Sequence, residues 1–309
     1  MSDQLTLAIP DAVTTHVLVA TDEHVRLSRG KVRDLLEEAC RRGPEAAALS
    51  RQALELLDTP RLLLTSERAG DSDWAERLDV LAGRQGSLHR VQSADHHLVF
   101  TSVSPPAAQP SQDRAVRFTA RLLAEQTGGA AADLAANVAL GAGVPPALER
   151  SRFVMADEWV VAFVNLDRMA AERLQVETTG LQRFGLPDLS IETVPGDRVL
   201  TAVNLLRALS YRLLSDHWAW LASNPGQEFR RLSTTQVADS ADLWRFWGAR
   251  PVGEGGLPVR LVADRSGCPG CSPLLDVQPP PDRDPAAWWK DAFDLIPPLT
   301  EVRPDPSSP

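Results

Sequence analysis

Short apolar runs alternate along this chain with longer segments in which apolar residues recur every three or four positions, the pattern of strands interleaved with amphipathic helices. The first run, His16 to Ala20, reads as a strand, after which Val32, Leu35, Leu36, Ala39 and Cys40 mark one face of a helix. Gly43-Pro44 ends that helix and opens another, because proline's fixed φ suits a first turn; the expected buried face is Ala48, Leu54 and Leu57. Arg61 to Thr65 reads as a strand, and Gly70 to Ser87, with Trp74, Leu78 and Leu81, as a short helix ending at Gly83. Next come a strand from Leu98 to Val103, a proline-rich loop and a helix that the Ser111 hydroxyl is expected to cap. Ala115, Phe118 and Leu122 run down one side of that helix, Gly128-Gly129 stops it, and Ala130 to Leu134 reads as an alanine-rich strand.

Beyond Arg152 the apolar runs shorten. Phe153-Val154-Met155 and Trp159 to Val164 flank the polar pair Asp157-Glu158 and predict a hairpin, and Leu174 to Thr178 and Leu189 to Val194 predict two more strands. A long helix is expected over about residues 197–221, with Val199, Val203, Leu206, Ser210 and Leu213 on one stripe and Asn224-Pro225-Gly226 ending it. Ser240 to Gly248 predicts a short capped helix and Leu257 to Ala263 a strand; nine prolines then fall between Pro279 and Pro309. The expected fold class is α+β, mixed sheets with packed helices. The strand–helix–strand order occurs twice in the first 140 residues, which leaves room for two related α/β halves meeting near residues 90–95. The expected organisation is an N-terminal α/β unit over 1–90, a central α+β domain over 91–265, and an irregular Pro- and Trp-rich extension over 266–309.

One succession of segments joins generic strand and helix to a more distinctive Gly180–Asp188 core: His97-Leu-Val-Phe-Thr, the proline-rich loop, Ala124-Glu-Gln-Thr-Gly-Gly129, Asp133-Leu, and Thr179-Gly-Leu-Gln-Arg-Phe-Gly-Leu-Pro-Asp-Leu189 before the long helix. It resembles an uncharacterised bacterial α+β domain family of unknown function, over about residues 94–221. The resemblance implies the fold class and assigns neither an activity nor a catalytic residue. Read on its own chemistry, the last of these segments is a rigid turn. Gly180 and Gly185 permit φ > 0, Pro187 fixes its own φ, and Phe184 and Leu186 can enter the core.

The 309 residues are 43% hydrophobic and 24% charged, and 32 basic against 41 acidic side chains give a formal net charge of -9. Such a chain lacks the basic footprint that phosphate backbones or anionic membranes select, so neither nucleic acid nor membrane is an expected partner. Thirty of the 32 basic residues are arginine, Lys31 and Lys290 being the exceptions, which GC-rich codon usage explains. Three cysteines make no disulfide framework for this length, and the N-terminus has neither a basic nor a sustained apolar segment of a secretory signal. Thr127 to Leu148, the longest weakly charged stretch, is broken by Asp133, four glycines and two prolines, so a cytoplasmic protein is expected.

The familiar motifs are missing: there is no G-x-S-x-G elbow, phosphate loop or H-E-x-x-H, and Gly141-Ala-Gly143 lacks the third glycine of a dinucleotide loop. Cys268-Pro-Gly-Cys271 has the spacing of a redox dithiol or half a zinc site, though Ser and Gly around it also fit a loop with inert thiols. Adjacent His96 and His97 must point to opposite faces of a strand, and His217 is expected as a favourable charge near a helix C-terminus. Asp157-Glu158 and Glu177, Asp188 and Glu192 read as turn caps and solvated strand ends. Six of the eight tryptophans follow residue 217. Trp244 and Trp247 share a helix face at i, i+3 and, with Arg245 and Trp218, form the candidate partner-binding surface; core packing is the competing explanation. The expected function is a non-catalytic cytoplasmic interaction or regulatory protein for a protein partner, with no cofactor and no catalytic residue. The alternative is an enzyme using the Cys268/Cys271 pair in thiol redox or metal-assisted chemistry, or His96 with Asp157 or Glu177.

Overall fold

The computed structural model describes residues 3–25, 28–79, 81–83, 85–141, 153–170, 173–253, 255–263 and 273–300. Up to residue 141 the elements are β1 (Gln4–Ala8), β2 (Val13–Thr21), α1 (Arg29–Ala39), α2 (Pro44–Leu57), β3 (Leu62–Arg68), α3 (Ala75–Leu78), α4 (Gln85–Ser93), β4 (His96–Ser104), α5 (Ser111–Thr127), β5 (Ala130–Asp133) and β6 (Val138–Ala139). From residue 153 they are β7 (Val161–Ala170), β8 (Arg173–Thr179), β9 (Asp188–Pro195), α6 (Val199–Ser223), β10 (Phe229–Ser233), β11 (Thr235–Asp239), α7 (Ser240–Phe246), β12 (Gly256–Ala263), β13 (Leu274–Gln278) and α8 (Pro285–Leu295). The fold class is α+β, as expected. Its division is not: contacts group Asp11–Phe153 into one unit and Met1–Pro10 with Val154–Pro309 into another. The boundary expected near residues 90–95 falls inside the first unit, where β4 lies between β3 and β2 in one sheet.

That first sheet is antiparallel in the order β3-β4-β2-β5-β6. Strand alternation sends Leu18, Ala20, Val99, Ala130 and Ala132 to the face covered by α3 and α4, where they pack with Leu78, Leu81 and Val91. On the opposite face lies α5, and the contact is unusually polar. Thr15 Oγ1 donates to Asp113 Oδ1 at 2.7 Å, Gln112 Nε2 to Ser102 Oγ at 3.0 Å, and Gln109 Nε2 to Ser104 Oγ at 2.8 Å. Arg117 Nη1 approaches Asp133 Oδ2 at 3.5 Å, with side-chain exposures of 0% and 1%. Ser111 begins α5 instead of capping it; the Gln109 carboxamide does that work, accepting from the Asp113 amide at 3.2 Å. On α2 the buried stripe is Ala46, Leu49, Ser50, Ala53 and Leu57, so Ala48 and Leu54 do not form its face.

The second unit is built on a six-stranded sheet, β11-β12-β13-β9-β8-β7, in which only β13–β9 is parallel, and on the small ribbon β1–β10. Its 25-residue α6 packs on β7, β8, β9 and β11 and against α7, with Ala202, Leu205, Leu206 and Leu209 fully buried. Two expectations fail here. Met155 to Glu158 form a turn before β7, which pairs with β8, so Phe153-Val154-Met155 is no hairpin arm. Within the segment 266–309 the described residues, 273–300, are no irregular appendage either, since β13 is an inner strand of the sheet and α8 is capped by the Asp284 carboxylate.

The turn from Gly180 to Asp188 is as rigid as its residues predict, and a buried carboxylate holds it. Asp188 Oδ1 accepts from Thr178 Oγ1 and the Leu181 amide, both at 3.1 Å, and Oδ2 from Gln182 Nε2 at 3.0 Å. Phe184 and Leu186 are buried, and Arg183 lies over the Trp159 ring at 5.1 Å. Burial outweighs those hydrogen bonds and pushes the Asp188 carboxyl up to about 6. A native pKa above the unfolded one means that folding carries no penalty below about pH 4, a growing one as pH rises, and the whole of it above about pH 6. Asp188→Asn is therefore expected to narrow the acid-side advantage. Between pH 4 and 7 the wild type should lose about 2 kcal/mol relative to the variant in urea unfolding. Parallel stability curves for the two proteins would contradict this.

Candidate functional site

Helix α7 has only seven residues, and both of its ends are fixed by local chemistry. The Asp239 carboxylate accepts from the Ala241 amide at 2.8 Å, and Gly248 takes φ +68 at the other end, with Gly248 and Ala249 amides returning to the Arg245 and Trp244 carbonyls. A Cβ at 248 would come within 2.8 Å of Val154, so a bulkier stop does not fit. The result is a short platform laid against α6 with Phe246 buried and Trp244 and Trp247 half-buried.

Against it lies a residue that the apolar stripe of α6 concealed. The Arg207 guanidinium carbon sits 4.9 Å from the Trp247 ring centre and 5.9 Å from that of Phe246. Asn204, fully buried one turn earlier, accepts from Arg207 Nη1 at 3.1 Å while its own Nδ2 donates to the Pro297 and Leu299 carbonyls at 3.0 and 2.9 Å. Burial pushes the Arg207 guanidinium down to about 10. Among the described residues it has no carboxylate partner; Arg207 Nε and Trp247 Nε1 are both buried and without an acceptor. Next to it, Asp242 serves two guanidinia, Arg245 at 2.7 Å and Arg212 at 3.6 Å. Arg212 also pairs with the exposed Asp216 at 3.2 Å, so α6 and α7 set three arginines, Arg207, Arg212 and Arg245, against two aspartates. On a chain of net charge -9 this is a locally basic strip.

Of the four residues singled out as a binding surface, Trp244, Arg245 and Trp247 are together on or next to α7, with Arg245 exposed and the tryptophans too buried to form an open platform. Trp218 is elsewhere: eleven residues past Arg207 on α6, about 16 Å along the axis at 1.5 Å per residue, it meets Phe184 edge-to-face at 5.8 Å. His217 is not a surface charge at the helix end. It is buried and accepts from Arg230 at 3.1 Å, and burial, followed by the Arg230 charge, pushes its pKa down to about 4. Asn204 and Arg207 carried a faint signal, a polar i, i+3 pair inside the most apolar helix of the chain.

Cys268 and Cys271 lie outside the described residues, and Cys40 is a free, half-buried thiol after α1. His96 belongs to the five-stranded unit, whereas Asp157 and Glu177 belong to the other. Among the described residues no group of three or more His, Cys, Asp or Glu is arranged to hold a metal, and no helix is long and apolar enough to cross a membrane. No protein-family profile, curated protein or solved structure matches the chain.

Proposed function

We propose that this is an interaction or regulatory protein of the cytoplasm, which works by holding a carboxylate of a protein partner at the half-buried Arg207 guanidinium. The observation that carries this reading is the half-buried Arg207 cation with no carboxylate of its own among the described residues. A desolvated charge is costly until it is paired, and a guanidinium flattened between an aromatic platform and an asparagine is already oriented for a planar, two-oxygen acceptor. Arg212 and Arg245 add positive potential that steers an acidic segment toward the strip. A polyanion such as nucleic acid fits less well, because the net charge of -9 opposes it.

Affinity capture from native lysate, comparing the wild type with Arg207→Gln and Trp247→Ala, tests the reading. Loss of one buried charge partner should cost about 2 kcal/mol or more, roughly thirty-fold in affinity, so a protein held by the wild type should disappear from the Arg207→Gln lane. The same proteins in the same amounts on all three would rule the site out.

A further inference from the structure

A second concave site, of opposite sign, lies on the same unit between β9, β13 and α8. Its origin is a break in strand pairing. Leu174 pairs with Val194 and Val176 with Ile191, so the single residue Gln175 opposes two residues, Glu192 and Thr193. This β-bulge turns both of them outward, one after the other, and puts Thr193 at φ +58. A β-branched residue rarely adopts that conformation. The neighbouring wall comes from the end of β13, where Gln278 Nε2 donates to Asp276 Oδ2 at 2.6 Å. The third wall is α8, pinned to β12 by Trp288 Nε1 donating to the Pro258 carbonyl at 2.9 Å. Trp289 stands edge-on to Trp288 at 4.9 Å, half-exposed at the groove.

The groove has a volume of about 310 Å³, and two carboxylates line it, Glu192 and Asp276, with no lysine, arginine or histidine. Glu192 is exposed and has no ion-pair partner among the described residues. One turn along α8, the Phe293 ring already carries a guanidinium, Arg198 at 4.4 Å, whereas among the described residues no cation covers Trp289. An uncovered indole face beside an unpaired carboxylate is the combination that attracts an alkylated cation: the ring takes the weakly hydrated face and the carboxylate the N–H edge.

From this we infer that the groove binds a basic side chain, arginine or lysine, presented by a protein segment, with Trp289 stacking on the cation and Glu192 accepting its hydrogen bonds. The volume admits one side chain with its flanking backbone, and the bulge places Glu192 in the groove's lining. This site does not depend on the Arg207 reading, since it uses other elements and the opposite charge.

Titration calorimetry on the full chain tests the inference with three probes, acetyl-Gly-Arg-Gly-amide, its lysine counterpart and its citrulline counterpart, which keeps the shape of arginine without the charge. The arginine and lysine peptides should bind saturably at millimolar concentration and more weakly as salt rises. The citrulline peptide should bind at least about threefold more weakly, and Trp289→Leu should weaken the arginine peptide about three- to thirty-fold. Because Trp289 touches Trp288, Glu192→Gln at an exposed position provides the variant that leaves folding intact, and it too should weaken the charged peptides but not citrulline. Citrulline binding as tightly as arginine, unchanged affinity in Glu192→Gln, or no saturable binding would each overturn the proposal.

Discussion

Replacing Gly180 with alanine should lower the unfolding free energy by about 4 kcal/mol or more, one of the largest losses available from a single methyl group in this chain. Two separate effects combine at that position. Its φ of +114 lies where side chains are strained, a cost of about 1–3 kcal/mol. A Cβ there would also stand 2.2 Å from the Trp159 carbonyl oxygen, so the backbone of residues 159–160 must move. That backbone carries Trp159, which is buried under Arg183, and the turn that Asp188 holds. Gly43→Ala isolates the first effect, because Gly43 has φ +137 but nothing within 4 Å of its would-be Cβ. Urea unfolding of the two variants should therefore differ by at least about 2 kcal/mol. Equal losses would mean that the close approach to Trp159 is relieved without cost.

The buried pair Arg117–Asp133 should produce a loss of similar size by a different route. Arg117→Met removes the guanidinium that lies 3.5 Å from the Asp133 carboxylate, itself 1% exposed, and breaking a buried pair by removing one partner costs about 3–5 kcal/mol. Asp133→Asn keeps an oxygen for the Ala135 and Ala136 amides, which Asp133 Oδ1 now serves at 3.0 and 3.2 Å, while removing the charge. The double variant should therefore recover more than about 1 kcal/mol of the Arg117→Met loss, a coupling that a double-mutant cycle reads directly. Strict additivity of the two single losses would show that the pair does not act as one.

What could be read from the sequence divides along a physical line. Elements with one strong local period were legible: α1 through Val32, Leu35 and Leu36, α6 through its apolar length, and the Gly180–Asp188 turn through its glycines. Elements whose partners lie far away were not. β1, β10 and β11 are short and alternate with polar residues, so only pairing defines them, and α4 and β13 gave no signal in a glycine- and proline-rich context. The polar face of α5 was missed because its partners, Thr15, Ser102 and Asp133, come from three different strands. Arg207 and Glu192 stayed hidden for the same reason. An arginine in an apolar helix reads as an interruption until Trp247 and Phe246 are placed beneath it, and a bulge is visible only once two strands are laid side by side.

The pairing of β1 with β10 also has a consequence for how the chain must be made. Leu5 and Thr6 meet Leu232 and Arg231, so β1 belongs to a unit whose matching strand is synthesised more than 220 residues later. At ~5–20 residues per second that is a wait of roughly 10 to 45 seconds. During it the contiguous unit Asp11–Phe153 can complete its sheet and bury its own core, while the opening segment stays unpaired ahead of it. Synthesis thus imposes an order on the two units, with the discontinuous one closing last around its own beginning.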